Sequence, residues 1–148
     1  MESEFQASLQ SFGARVGLPD LSFDSAGRAL LSVDGGRRVG MMLLPKSNSL
    51  ILTTGVSSCE PDDCRFLAVV LQLNGLTEAE DDLRLGLTPD RDQVVAIRIV
   101  PAELAPELAE CLALFIEASD RISDFLTTLQ SQGSDDEECK PEDWNLRV

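Results

Sequence analysis

Histidine and tyrosine, two residue types common in active sites, are absent from this 148-residue sequence. Without histidine, a serine or cysteine nucleophile lacks its usual general base, and a zinc ion lacks one of its two commonest protein ligands. A glycine-rich phosphate loop is also missing, because Gly35-Gly36 separates two strand-like segments rather than a strand and a helix. The sequence therefore predicts no catalytic residue, no metal site and no cofactor.

Positive charge is scarce as well. The chain carries 12 basic and 26 acidic residues, for a formal net charge of -14. A field of that sign repels the phosphates of nucleic acids and the head groups of anionic lipids. Acid pairs such as Asp62-Asp63 arise readily in so acidic a chain as solvated loops and helix starts, and do not indicate general acid/base chemistry. We expect no nucleic acid among the partners.

A long apolar run and an export signal are lacking too. The run from Phe66 to Leu71 is far shorter than the roughly 20 residues of a membrane-spanning helix. The N-terminus, Met1-Glu2-Ser3-Glu4-Phe5, has no cationic segment followed by an apolar one. We therefore expect a cytoplasmic protein with no membrane partner, in which the four cysteines remain reduced thiols.

An amphipathic helix opens the chain. Phe5, Leu9, Phe12 and Val16 recur at steps of three or four residues, which places them on one helical face. Gly17-Leu18-Pro19 then ends the helix, because glycine suits the left-handed C-terminal position and proline cannot extend the hydrogen-bond ladder.

An antiparallel three-stranded meander follows. Its strands are Ala29 to Val33, Val39 to Leu44 and Leu50 to Val56. The residues between them, among them Asp34-Gly35-Gly36, are typical of turns. The second strand is apolar on both sides, since Met42 and Leu44 alternate with further apolar residues, whereas a half-solvated strand would be polar on one side. Something must therefore cover the second face of the sheet.

The second helix predicts a partner subunit. Glu60-Pro61-Asp62-Asp63 has the composition of a helix start, with proline in the first turn and acids at the positive end of the helix dipole. The helix that follows is apolar nearly all round, and a domain of this size cannot surround one of its own helices. We therefore expect a homodimer that buries this helix.

Two further strands and a long helix complete the domain. The strands, Leu83 to Leu87 and Val94 to Val100, are joined by a proline-containing turn. Pro106 predicts an irregular start to the helix. We expect the apolar stripe of this helix to pack on the protein's own sheet rather than to form an exposed coiled coil. The stripe consists of Leu104, Leu108, Cys111, Phe115, Ala118, Ile122, Phe125 and Leu129.

These patterns predict an α+β fold with an antiparallel sheet and the element order α-β-β-β-α-β-β-α. One domain covers residues 1–130. Residues 131–148 are rich in acids and poor in apolar anchors, so they cannot offset the entropy of ordering and form a disordered tail.

This order of elements, in an acidic chain of this length, resembles the class I type III secretion chaperones over residues 1 to about 130. Local features agree with the resemblance, and they run from the first helix to the last. They are Gly17-Leu18-Pro19-Asp20-Leu21, Asp24-Ser25-Ala26-Gly27, Leu85-Gly86-Leu87, Val95 to Pro101, and Leu108, Leu112, Phe115 and Ile116. The specificity lies in their order and spacing.

The resemblance implies a bacterial, cytoplasmic homodimer that binds the N-terminal chaperone-binding segment of a secreted effector. Such a chaperone holds the segment extended and escorts it to the secretion apparatus without hydrolysing ATP itself, and a secretion ATPase is a further candidate partner. The implied dimer interface comprises Phe66, Val69, Val70, Leu73 and Leu85. For the effector, apolar surface on the meander and first helix predicts contacts at Phe5, Leu9, Leu30, Met42, Leu44 and Ile51.

Two other functional classes stay open on the sequence alone. One is a homodimeric regulatory adaptor that binds a folded partner, such as a transcription factor or an ATPase, and the other is an enzyme of unrecognised type. A bound segment without structure of its own would distinguish a chaperone from an adaptor. The sequence also leaves open whether the sheet face of Met42 and Leu44 is free for an effector or covered within the dimer.

Overall fold

The computed structural model describes residues 2–34, 36–60, 62–90 and 92–132, which form three α-helices and a five-stranded sheet. The helices α1, α2 and α3 are Glu2–Arg15, Cys64–Asp81 and Leu108–Gln132, and a 3-10 helix spans Ala102–Glu107. The strands β1 to β5 are Arg28–Val33, Arg37–Leu44, Ser49–Ser58, Leu83–Leu87 and Gln93–Pro101. The predicted α+β class and element order are confirmed.

All neighbouring strands are antiparallel, in the order β1-β2-β3-β5-β4. Met42 pairs with Ile51, and Ile51 pairs with Ile99, so these three side chains share one face of the sheet. Met41 and Leu52, the chain neighbours of the first two, share the opposite face. We call the face of Met41 and Leu52 the inner face, and the face of Met42 and Ile51 the outer face.

The hydrophobic core lies between the inner face and the helices. Buried residues of α1 and α3, such as Phe5 and Phe115, belong to the same cluster as Met41 and Leu52. The predicted stripe of α3 is buried from Leu108 to Ile122, which confirms that it packs on the protein's own sheet.

Phe125 was wrongly predicted to continue that stripe. It is 49% exposed, and Leu126 is buried in its place. An α-helix that packs on a sheet keeps its own period, which drifts by about 20° per heptad from a strict seven-residue repeat. The buried line therefore leaves the heptad positions towards the end of α3.

The boundaries of α2 and α3 follow the predicted signals. The Asp63 side chain accepts a hydrogen bond from the Phe66 backbone N–H and so caps α2. Pro106 lies in the 3-10 helix that precedes α3, as its missing N–H requires. α3 ends at Gln132, two residues past the predicted domain boundary, and the rest of the predicted acidic tail, 133–148, lies outside the described residues.

Candidate functional site

The outer face of the sheet exposes large apolar side chains. Leu30, Met42 and Ile99 are 58%, 41% and 53% exposed. On the inner face, their chain neighbours Leu31, Met41 and Val100 are buried, and Met41 is only 2% exposed. Large side chains left in solvent side by side are uncommon on a monomeric soluble protein and mark an interaction surface.

Strand register joins these side chains into one surface. A first row across the sheet consists of Arg28, Met42, Ile51 and Ile99. A second row consists of Leu30, Gly40, Thr53, Ile97 and Arg84. Directly opposed residues in an antiparallel sheet have Cβ atoms about 4.5–5.5 Å apart, so the apolar members of the two rows are in contact or nearly so.

Four of the six residues predicted to contact an effector lie on this outer face. Leu30 and Met42 are exposed, and Leu44 and Ile51 are half-buried. Ile99 belongs to the same surface but was missed, because the sequence does not reveal that β5 lies beside β3. The alternation of Val95, Ile97 and Ile99 along β5 was the available signal.

Phe5 and Leu9 lie elsewhere. Both are fully buried beneath the inner face, since α1 packs on the 3-10 helix and on α3. Of the predicted stripe, Phe12 also packs against the core, whereas Val16 follows the end of α1 and is 50% exposed. Neither Phe5 nor Leu9 offers surface to a partner in this structure. They therefore do not belong with the four residues of the outer face.

The residues predicted for the dimer interface are largely covered by their own chain. Phe66, Val70 and Leu85 are buried, because α2 packs against β4 and α3, which cover more of the helix than its composition predicts. Val69 and Leu73 are half-buried. The exposed stripe of α2 consists of Ala68, Leu71, Gln72 and Gly75, in which Leu71 is 68% exposed.

Asn74 of α2 blocks one edge of the sheet. Its Nδ2 atom donates to the Leu85 carbonyl at 3.2 Å, and the Leu85 N–H donates to Asn74 Oδ1 at 2.9 Å. The carboxamide therefore occupies backbone positions on β4 that an added strand would need.

The buried cysteines are poor nucleophiles. Cys59 and Cys111 carry thiols that form no disulfide in the described structure, and burial raises the pKa of both. The negative charges of Asp92, Asp63 and Glu60 raise the Cys59 pKa further. Because the thiolate is the reactive form, neither group is activated at neutral pH.

A polar clamp links the sheet to α3. Arg37 Nε donates to Asp120 Oδ1 at 2.6 Å, and another guanidinium nitrogen donates to the Gly55 carbonyl at 3.0 Å. The adjacent Arg38 points to the outer face and is exposed. The described surface therefore offers apolar contact area and arginine, rather than an activated nucleophile.

The sequence matches the model of the Tir chaperone protein (CesT) family over residues 7–123. No curated protein matches the chain significantly. No helix in the described ranges is long and apolar enough to cross a membrane.

Solved structures with the same fold include three complexes. A chain of the ExsC-ExsE complex is 25% identical, with a TM-score of 0.75 over 85% of this chain and 96% of that chain. A chain of the HopA1-SchA chaperone-effector complex is 18% identical, with a TM-score of 0.68 over 83% and 95%. The structure of the Yersinia pestis type III secretion chaperone SycH with a fragment of YscM2 gives 15% identity and a TM-score of 0.61 over 80% and 98%.

Proposed function

The chain belongs to the Tir chaperone protein (CesT) family, and we propose that it binds the N-terminal chaperone-binding segment of a secreted effector on the outer face of its sheet. As a type III secretion chaperone it keeps that segment non-globular and escorts it to the secretion apparatus in the bacterial cytoplasm. It performs no catalysis of its own. The similarity to chains from a chaperone-effector complex supports a protein partner.

The observation that carries this proposal is the exposure of Leu30, Met42 and Ile99 on one sheet face. Burial of apolar surface is worth roughly 25 cal/mol per Å², so an unfolded segment gains most by laying alternate apolar side chains on such a face. The flexible thioether of Met42 adapts to side chains of different shape, as a surface for variable sequences requires.

The test compares two exposed leucines on opposite sides of the molecule. Leu30 lies on the outer face, whereas Leu114 lies on α3 and is 50% exposed. Leu30→Asp places a carboxylate in the apolar contact, at a cost of about 2 kcal/mol, and should weaken binding of the effector segment about 30-fold. Leu114→Asp should leave binding unchanged.

Binding is measured by calorimetry with purified N-terminal segments of effectors from the same secretion system. Both variants should keep the wild-type circular dichroism and thermal midpoint. The proposed site would be contradicted if both variants lost binding equally, or if neither variant lost binding. Capture of a partner that is protease-resistant before binding would favour the regulatory adaptor instead.

We also propose that the chain is a homodimer that pairs through the exposed stripe of α2, with Leu71 at its centre. Leu71 is the most exposed of the large apolar side chains in the described residues, and small residues beside it let a second helix approach closely.

Light scattering after size exclusion should give twice the chain mass of 16.1 kDa. Leu71→Asp should give a folded monomer, and Leu114→Asp should stay dimeric. A monomeric wild type at tens of micromolar would remove this interface without touching the effector site.

A further inference from the structure

The sheet has the opposite charge to the chain as a whole. Its five strands contain five arginines and no aspartate or glutamate, although acidic residues outnumber basic ones by 26 to 12 in the sequence. In the described residues, the acids lie in helices and in the segments that join helices and strands. The sheet is therefore a locally positive surface on an acidic protein.

The arginines differ in what surrounds them. Arg37 and Arg98 lie on the inner face, where Arg37 is engaged by Asp120. On the outer face, Arg28 Nε lies 3.9 Å from Asp24 Oδ2, and both side chains are exposed. Arg38 is also exposed, and within the described residues it forms no ion pair.

We infer that the outer face selects effector segments that carry an aspartate or glutamate at one end of their apolar residues, and that Arg38 binds this carboxylate. The inference rests on the function proposed above and adds the chemistry of the segment. A guanidinium suits the role because its planar donors bind a carboxylate bidentately.

The position of Arg38 explains why the acid flanks the apolar residues. Arg38 lies opposite Ser32 and beside Gly40, at one end of the outer face, whereas Leu44 lies at the other end of β2. An extended segment of about seven residues covers the roughly 20 Å between them. Its carboxylate then lies over Arg38 and its apolar side chains lie over Met42 and Ile51.

Screening by salt determines whether a ligand on the outer face responds to the local positive charge of the sheet or to the overall negative charge of the protein. At physiological salt the Debye length is about 8 Å, and the acidic helices lie behind the sheet, where their charges are largely screened from a ligand on the outer face. Two acids line the same cleft as Arg38, namely Asp120 of α3, which is engaged by Arg37, and Asp34, in the turn before β2. Asp34 forms no ion pair with Arg38 in the described structure, which leaves the guanidinium open to a ligand.

The test selects short random peptides on the full-length protein at about 0.15 M salt. Wild type, Arg38→Glu and Arg15→Glu are used in parallel. Arg15 is an exposed arginine at the end of α1, on the helical side of the sheet, so its reversal matches the change in net charge. Peptides from wild type and Arg15→Glu should carry an acid beside their apolar residues, and peptides from Arg38→Glu should not.

A selected peptide and its Asp→Asn counterpart are then compared by fluorescence anisotropy. The acidic form should bind wild type about fivefold more tightly, and this preference should vanish with Arg38→Glu. Equal binding of the two peptides to wild type, or selection of basic peptides, overturns the inference while the apolar site stands. If Leu30→Asp binds the peptides as well as wild type does, or becomes monomeric, the outer face is not the peptide site and the proposed function fails as well.

Discussion

The two faces of the sheet carry similar side chains for different reasons. Met41 and Met42 are adjacent residues of the same type, yet Met41 is 2% and Met42 is 41% exposed. Met41 belongs to the core under the helices, whereas Met42 adjoins Ile51 and Ile99 on the open face. An apolar residue in a strand can thus serve either the hydrophobic core or a binding surface, and only its tertiary surroundings distinguish the two roles.

The strongest test of this difference replaces each methionine in turn. Met41→Asp puts an unpaired carboxylate into the core, at a cost of several kcal/mol, on the order of the whole stability of a small domain. It should unfold the protein. Met42→Asp should keep the wild-type far-ultraviolet circular dichroism and shift the thermal midpoint by only a few degrees.

Effector binding completes that experiment. Met42→Asp should lose affinity for the segment although it is folded, whereas Met42→Leu, which preserves volume and apolarity, should keep the wild-type affinity. If Met42→Asp unfolds the protein as Met41→Asp does, the outer face is internal and another element or subunit covers it.

Adjacent arginines provide a second and smaller contrast between the faces. Arg37 hydrogen-bonds Asp120 and the Gly55 carbonyl, with a side chain 15% exposed. Arg37→Met should therefore cost about 1–2 kcal/mol in the free energy of unfolding, allowing for the exposure of Asp120. Arg38→Met should change it by less than about 0.5 kcal/mol.

Urea denaturation followed by circular dichroism measures both values. Asp120→Asn offers a check from the other side of the clamp, since it keeps an acceptor for Arg37 but removes the charge, and should cost less than Arg37→Met does. Equal destabilisation by Arg37→Met and Arg38→Met would mean that Arg38 also has a structural role, and would weaken its assignment as a ligand-binding residue.

Local sequence patterns predicted the elements of this fold well. Turn residues separated the strands of the meander, Asp63 was among the residues predicted to start α2, and Pro106 predicted an irregular start to the last helix. These signals act over a few residues, where backbone sterics and capping dominate. The apolarity of both sides of β2 likewise predicted that each face of the sheet has something to bury.

Long-range contacts could not be predicted in the same way. Arg37 and Asp120 are 83 residues apart in the sequence, and nothing local links them. The same holds for the position of β5 beside β3 that brings Ile99 to the outer face. Phe5 and Leu9 were assigned to a binding surface because a helical stripe is equally apolar whether it faces a core or a partner.

The smallest change in stability is expected from a thiol introduced on the outer face. In a Cys64→Ser, Cys139→Ser background, only the buried Cys59 and Cys111 remain. Burial raises the pKa of both thiols in the folded protein, so it contributes stability below the unfolded thiol pKa of about 8.5, and this contribution is lost as the pH rises through the folded pKa. At about pH 8 both should react with a disulfide reagent only when the domain opens, more than about a thousandfold more slowly than an exposed thiol if unfolding costs about 5 kcal/mol.

Met42→Cys should add one thiol that reacts at once, with no measurable change in the urea midpoint. Slow labelling of that thiol in the free protein, together with faster labelling in the Leu71→Asp variant, would show that the second subunit covers the outer face and would remove that face as the effector site.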